Sequence, residues 1–252
     1  MKFRLIMDSY HDAATNMAID EAILRSRKSK NFNTLRLYHW DPSAVSIGYF
    51  QSIFDEINLE YAEKNRISVI RRITGGGAVY HDHKGDLTYS IVVDPSFAGI
   101  TNLKESYTVL SSGLLEGLIR FGLDARFEGI NDISVNNKKI SGNAQTRRFG
   151  SVLQHGTLLL SVNPELMFSV LKVDNEKMKD KLIKNVYERV TSIEKERGEF
   201  DILKLKNSIV EGYKSSFSEF EFIEGALDPD EINLIEPIKK ERYMARSWNF
   251  KK

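Results

Sequence analysis

The residues best suited to chemistry lie between Arg71 and His83, in the segment RRITGGGAVYHDH. Consecutive glycines can adopt positive φ angles and turn successive backbone N–H groups into one concavity, which favours an anion. The two arginines before them can bind phosphate or carboxylate through paired hydrogen bonds. The segment matches neither a Walker A loop nor a dinucleotide-binding fingerprint. It therefore predicts a phosphate-binding loop, with a plain glycine-rich hairpin between two strands as an equal alternative.

The sequence His81-Asp82-His83 offers side chains that commonly bind metals. Histidines two residues apart on an extended segment point to opposite faces, so they would need a bend to share one ion. The spacing therefore disfavours a metal site. It favours one histidine lining a site and the other facing solvent.

Two later segments carry further polar groups. In NDISVNNKKISGNAQ, the pair Asn136-Asn137 predicts a hairpin turn that brings a carboxylate near a lysine. Such a lysine could stabilise negative charge on a reacting acyl phosphate, or it could be solvated on a surface hairpin. In QHGTLLLSV, His155 lies near a site or a bulge, or it is a buried histidine of an ordinary core strand.

Composition sets limits on these readings. With 252 residues and 41% hydrophobic content, the chain can form one large domain or two small ones. A net charge of +1 argues against a general nucleic-acid binder, and the absence of cysteine excludes disulfides, zinc thiolates and cysteine nucleophiles. No apolar run reaches the roughly 20 residues of a membrane span, and the N-terminus lacks a signal peptide. We expect a soluble cytoplasmic protein with no nucleic-acid or membrane partner.

Periodicity predicts the elements that position these groups. Strands are predicted at 2–7, 34–39, 45–48, 68–71, 87–93, 124–127, 132–135, 138–146 and 151–161. Helices are predicted at 12–28, 59–65, 103–121 and 202–217, along one face from 178 to 193, and from Asp228 onward. Strands clustered in the middle with helices around them predict an α+β fold.

Taken together, the motifs are more specific than any one alone. RRITGGGAVYHD (71–82), Asn131-Asp132-Ile133, KISGNA (139–144) and HGTLLL (155–160) occur in this order. They resemble the lipoate–protein ligases, particularly the ligase A type. NMAIDEA (16–22) and Arg189-Val190-Thr191 look like further family segments, so the resemblance spans almost the whole chain.

The resemblance implies an α+β fold with mixed and antiparallel sheets flanked by helices, related to the biotin–protein ligase catalytic domain. It implies activation of lipoate with ATP and Mg²⁺ to lipoyl-AMP. The lipoyl group then passes to one lysine of a carrier domain, in a 2-oxoacid dehydrogenase E2 component or the glycine-cleavage H protein.

Carried over by position, Lys139 matches the essential lysine that contacts the lipoyl carbonyl and the α-phosphate, and Asp132 would help to hold Mg²⁺. The nucleotide and acyl group would be surrounded by Arg72, Gly75, Gly76, Gly77, Ala78, Val79, Tyr80, His81, Asp82, Asn131, Gly142 and His155. Candidate walls of an apolar slot are Leu35, Leu37, Val45, Ala78 and Val79.

Three related functions compete with this reading. Transferases of the same fold that work through an acyl-cysteine are excluded, because the chain has no cysteine. A biotin–protein ligase is disfavoured by the missing arginine-rich, glycine-alternating signature. A non-catalytic binder of lipoate or nucleotide is disfavoured by the presence of Lys139 together with the arginine–glycine loop.

The resemblance also predicts the domain organisation. Residues 1–252 form a single catalytic domain, and the chain stops just after Trp248-Asn249-Phe250, where the family's small accessory domain would begin. We expect a separate small protein to supply that domain in trans, since domain closure often completes such sites.

Overall fold

The chain forms two β-sheets, and the computed structural model describes residues 2–97, 102–173 and 176–251. The strands are β1 (Lys2–His11), β2 (Phe32–Trp40), β3 (Ala44–Ile47), β4 (Ser68–Arg71), β5 (Val79–His81), β6 (Asp86–Val93), β7 (Ala125–Glu128), β8 (Asp132–Val135), β9 (Lys138–Arg148), β10 (Ser151–Leu159) and β11 (Glu221–Glu224). The helices are α1 (Ala13–Ser26), α2 (Ile53–Glu56), α3 (Leu59–Lys64), α4 (Leu103–Arg120), α5 (Pro164–Val170), α6 (Glu176–Arg189), α7 (Ile193–Arg197), α8 (Ile202–Ser216), α9 (Pro229–Ile238) and α10 (Arg246–Asn249).

The large sheet has the strand order β11-β1-β2-β6-β10-β9-β8-β7. Strand β1 runs parallel to β2 and β11, and the remaining neighbours are antiparallel. The small sheet has the order β4-β3-β5, with one parallel and one antiparallel pair. Both sheets are therefore mixed, and helices flank them, which confirms the predicted α+β fold.

Helices cover both faces of the large sheet, so its central strands are buried on both sides. In β2, Leu35 and Leu37 pack into the core formed with α4 and α8. Because side chains alternate along a strand, Tyr38 and Trp40 pack on the opposite face with α1 and α9. The cavity described below lies on this second face. Among the described residues, no helix is long and apolar enough to cross a membrane.

Most predicted elements agree with the structure to within a few residues. Asp12 caps α1 by accepting a hydrogen bond from the Thr15 N–H, and Asp228 forms a capping box at the start of α9. Strand β5 was not predicted, because three residues are too few to show a period. Strand β11, whose four residues lie at the edge of the large sheet, was also missed.

A buried polar network joins α1 to the large sheet through Asp20. Its carboxylate accepts hydrogen bonds from Arg36 Nη1 (2.9 Å), the Tyr38 hydroxyl (3.0 Å) and Ser90 Oγ (2.8 Å). It also lies 3.3 Å from Nδ1 of His155. A charge buried in the interior requires such partners. The network therefore fixes how the helix and the cavity strands meet.

Burial by itself raises the pKa of Asp20, but the His155 hydrogen bond and the Arg36 charge outweigh it, so the pKa lies below its usual value. Burial lowers the pKa of His155, since the charged imidazolium would lose its hydration. In both cases the folded protein binds fewer protons than the unfolded chain. Acid therefore favours unfolding through both groups.

We predict that the free energy of unfolding falls between pH 7 and pH 5, with His155 contributing once the pH is below its unfolded pKa of about 6.5. Asp20 contributes only in stronger acid. Urea unfolding of His155→Asn should give a shallower pH slope, by at most about 1.4 kcal/mol per pH unit, the limit for one proton. His83→Asn, which replaces a histidine outside this network, is the matched control. Equal slopes for wild type and His155→Asn would contradict the assignment.

Candidate active site

A cavity of about 350 Å³ lies between the small sheet and the face of the large sheet that carries β2, β6, β10 and β9. This volume is within the range of small-molecule sites. Predicted site residues in its wall are Arg72, Gly76, Gly77, Ala78, Val79, Tyr80, His81, Asn131, Lys139, Gly142 and His155. Apolar side chains complete the wall, among them Met17, Trp40, Leu159, Met167, Val186 and Val190.

Three of the predicted site residues lie elsewhere. Gly75 lines a neighbouring cavity of about 290 Å³, together with Tyr49 and Arg148. Asp82 is outside the wall and accepts hydrogen bonds from the N–H groups that follow it in a turn. Asp132 is not part of the wall either. It contacts Lys139, and Lys139 is part of the wall.

The predicted apolar slot is only partly correct. Ala78 and Val79 line the cavity, but Leu35 and Leu37 lie in the core on the opposite face of the large sheet. Val45 is buried in the separate core of the small sheet. Alternation along the strands places these side chains away from the cavity, and the sequence does not reveal which face the cavity occupies.

Arg72 is buried beneath the glycine loop, and all five of its N–H groups are used within the protein. Nε donates to Thr74 Oγ1 (3.1 Å), and Nη1 donates to the carbonyl oxygen (2.9 Å) and Oγ (3.2 Å) of Ser46. Nη2 donates to the carbonyl oxygens of Gly75 (2.7 Å) and Gly77 (2.8 Å). Burial lowers the pKa of Arg72 to about 10, so the side chain remains a cation at neutral pH.

The glycine loop keeps its N–H groups free, while the carbonyl groups of Gly75 and Gly77 are held by Arg72. Within the described parts of the chain, the backbone N–H groups of Gly75, Gly76 and Gly77 have no hydrogen-bond acceptor. Gly76 has φ of 92°. A Cβ on Gly48 would lie 1.9 Å from the Gly76 carbonyl oxygen, so only glycine permits this close approach. Free donors on consecutive residues are the arrangement that favours an anion, so this geometry is compatible with the predicted phosphate-binding loop.

Arg71 does not line the cavity, although its residue type and its position beside Arg72 made it a candidate anion ligand. It is buried, and its guanidinium donates to carbonyl oxygens of Gly48, Tyr49, Gln51, Trp248, Asn249 and Lys251. Arg71 ends a strand, so its side chain points away from that of Arg72. Its role is to fasten the C-terminal turn to the small sheet.

Lys139 reaches the cavity because β9 carries a bulge. The pairing with β8 shifts so that Ile140 has no residue opposite it, and a bulge re-aims the side chains around it. The Lys139 ammonium lies 2.7 Å from a carboxylate oxygen of Asp132. A Cβ on Gly142 would lie 2.7 Å from Lys139 Nζ, so this glycine leaves room for the lysine. The predicted hairpin and its carboxylate–lysine pair are both present.

Two hydrogen-bonded chains of side chains, each running from a carboxylate through an imidazole to a hydroxyl, end on Arg72. In one, His155 lies between Asp20 and Thr74, with 2.7 Å from its Nε2 to Thr74 Oγ1. In the other, His81 Nδ1 lies 2.6 Å from Asp86 Oδ2. The sequence pattern did not reveal the partners of either histidine. Asp20, Thr74 and Ser46 are distant in the chain, and Asp86, only five residues after His81, is brought to it by the turn between β5 and β6.

The second chain ends at Ser46, whose Oγ lies 2.9 Å from His81 Nε2. His83, by contrast, contacts the Trp40 carbonyl oxygen (2.9 Å) and is half-buried, not fully solvated. The two histidines of the HDH motif therefore have separate partners.

This arrangement suits an apolar acid with an anionic head. The cavity wall is mainly apolar, and it also includes Lys139, Arg72 and the two loop glycines Gly76 and Gly77, whose N–H groups are free. Preorganised donors and cations in a water-poor site stabilise negative charge that grows in a transition state.

Comparisons with known proteins agree with this geometry. The model of the lipoyl protein ligase A/B catalytic domain matches residues 12–214. Octanoyltransferase LipM of Clostridioides difficile (strain 630) is 36% identical, over an alignment that covers 100% of this chain and 99% of that protein.

Two solved structures have the same fold. The bi-partite lipoate protein ligase of Thermoplasma acidophilum, described with its E2 lipoyl domain, has a TM-score of 0.90 at 32% identity, covering 99% of this chain and 96% of that one. A lipoate–protein ligase A bound with ATP has a TM-score of 0.85 at 29% identity, with 99% of each chain covered. The chain therefore belongs to the lipoyl protein ligase A/B catalytic-domain family, whose members include lipoate ligases and octanoyltransferases.

Proposed function

We propose that this protein is a lipoate–protein ligase that activates lipoate with ATP and passes the lipoyl group to a lysine of a carrier domain. The observation that carries the proposal is the glycine loop, because Gly76 and Gly77, whose N–H groups are free, line the same cavity as Lys139. Joining a carboxylate to a triphosphate brings two anions together, and the wall of this cavity offers both cations and donors. The ATP-bound ligase among the structural relatives supports the same reading.

In this mechanism the apolar wall holds the acyl chain, and Lys139 contacts the carboxylate and the α-phosphate where they react. The N–H groups of Gly76 and Gly77 bind phosphate oxygens, while the Arg72 cation lies beneath them. These groups stabilise the charge that develops as the acyl–phosphate bond forms and pyrophosphate leaves. No protein nucleophile is required.

Asp132 fits a role in holding Mg²⁺, because that ion is commonly bound by one or two carboxylates together with substrate phosphates. The bound ion would supply positive charge to the phosphate oxygens. The contact between Asp132 and Lys139 means that the two charges are balanced before ATP binds.

The proposed acceptors are the lysines of lipoyl carrier domains, in the E2 component or the H protein. The structural relative described with its E2 lipoyl domain supports this choice. Because that relative is bi-partite, we also propose that a small accessory protein completes this enzyme in trans.

A second function is favoured by the octanoyltransferase relatives. In it, the same cavity would accept an octanoyl group from a thioester donor, and ATP would not be needed. A transferase that works through an acyl-cysteine has no nucleophile in this chain, since cysteine is absent.

The deciding experiment is ligation to an apo-carrier domain with purified protein. One set of reactions contains ATP, Mg²⁺ and lipoate, octanoate or biotin, each with and without a candidate accessory protein. The other contains an octanoyl thioester and no ATP. Ligation that requires ATP and lipoate supports the proposal. Transfer from the thioester alone, with no ATP-dependent product, contradicts it, and full turnover without a partner contradicts the accessory protein.

We predict that Lys139→Ala lowers the rate of lipoyl-adenylate formation about 100-fold or more, since it removes charge stabilisation in the transition state. The measurement is adenylate formation by mass spectrometry, with circular dichroism to check the fold. Lys138→Ala is the matched control, because the Lys138 ammonium contacts the Tyr187 carbonyl oxygen outside the cavity wall. Equal rates of adenylate formation for the two variants would show that Lys139 has no role in the reaction.

A further inference from the structure

Ser46, His81 and Asp86 have the geometry of a nucleophile, a general base and a group that orients the base. Ser46 Oγ lies 2.9 Å from His81 Nε2, and His81 Nδ1 lies 2.6 Å from Asp86 Oδ2. Distances of about 2.6–3.2 Å between these partners identify an activated nucleophile. Asp86 is itself held, because its other oxygen accepts a hydrogen bond from Thr88 Oγ1 at 2.9 Å.

The partners determine where the protons lie. A carboxylate only accepts, so the neutral His81 ring carries its hydrogen on Nδ1 and leaves Nε2 to accept the Ser46 hydroxyl hydrogen. The ring stacks on Trp40, with centroids 3.9 Å apart and planes 15° from parallel, which holds its orientation. Arg72 Nη1 donates to Ser46 Oγ at 3.2 Å, and this positive charge favours the alkoxide form of the serine.

The chain that ends at Thr74 provides an internal comparison. Thr74 has no exposed surface and is absent from the cavity wall, so its hydroxyl is available only to His155 and Arg72. Ser46 and His81 both belong to the wall. Of the two hydroxyl groups, Ser46 is therefore the one that meets a bound acyl group.

The glycine loop lies beside this serine. Ser46 pairs with Val79 across the small sheet, and Gly77 stands two residues before Val79. Gly76 and Gly77, whose N–H groups are free, line the same cavity as Ser46. Such donors can stabilise the oxyanion of a tetrahedral intermediate.

We propose that Ser46 is the nucleophile of an acyl-transfer reaction from a medium-chain acyl thioester, and that an octanoyl ester on Ser46 is the intermediate. The proposal rests on the second function above, not on the ATP-dependent reaction, and it supplies the nucleophile that cysteine cannot provide here.

The two steps balance as follows. His81 Nε2 takes the Ser46 proton while Oγ bonds to the thioester carbonyl carbon; the carbon–sulfur bond breaks, and the proton passes to the thiolate. A carrier-lysine amine then attacks the ester. His81 takes one amine proton and returns it to Ser46 Oγ as the carbon–oxygen bond breaks, leaving an amide and free serine.

The test uses the whole chain with octanoyl-N-acetylcysteamine and no acceptor, followed by intact mass measurement and tandem mass spectrometry. We expect one octanoyl group on Ser46, and the ester should resist neutral hydroxylamine. Ser46→Ala should lose this label. Ser46→Cys should regain it as a thioester that hydroxylamine cleaves, which shows that the cavity still binds the donor. Ser43→Ala, at a serine outside the cavity wall, should label like wild type.

Several outcomes overturn the proposal. A label on Lys139 that is unchanged in Ser46→Ala would mean that the thioester reacts directly with an amine. If the wild-type chain stays unlabelled but still ligates lipoate with ATP, the proposal that Ser46 is a nucleophile is wrong and the ligase proposal stands. A labelled Ser46 without any ATP-dependent ligation would instead remove the ligase proposal alone.

Discussion

The buried Arg72 guanidinium is the interaction on which the site depends. A charge removed from water is tolerated only when its hydrogen-bonding groups are satisfied, and this one uses all five N–H groups inside the protein. Two of those bonds pull the loop carbonyl groups inward, which leaves the glycine N–H groups free. Its other bonds reach the hydroxyls of Ser46 and Thr74, so the same cation sets the direction in which both hydroxyls donate.

The two candidate reactions need almost the same surroundings. Both place an apolar chain in a cavity of about 350 Å³, and both place growing negative charge beside Arg72, Lys139 and the loop N–H groups. They differ in the leaving group, which is pyrophosphate in one and a thiol in the other. This common requirement explains how one fold includes relatives named as ligases and as octanoyltransferases.

The sequence predicted those features that depend on local chemistry. The glycine loop and the asparagine turn were predicted from residue types within a few positions, and so was the lysine beside a carboxylate. The α+β fold followed from periodicity and is confirmed. Residue types alone did not distinguish the tasks of Arg71 and Arg72, because that requires knowing which way each side chain points at the end of β4; only the family resemblance singled out Arg72. For the same reason, Leu35 and Leu37 were wrongly predicted to line the cavity: the sequence does not show which face of β2 the cavity occupies. Ser46 was missed because its contact with His81 depends on the pairing of β3 with β5, which residue types do not reveal, and Asp86 was missed because its contact depends on the turn that follows β5.

The bulge in β9 limits how this protein can change. Because side chains alternate between faces, a regular ladder in which Ile140 paired with Ser134 would place Lys139 opposite Val135 and turn it to the other side of the strand. The composition of the site would stay the same, yet its amine would be lost from the cavity. Substitution at this position alters packing, whereas a one-residue slip of the pairing alters orientation. The segment is therefore constrained in pairing register as well as in residue type.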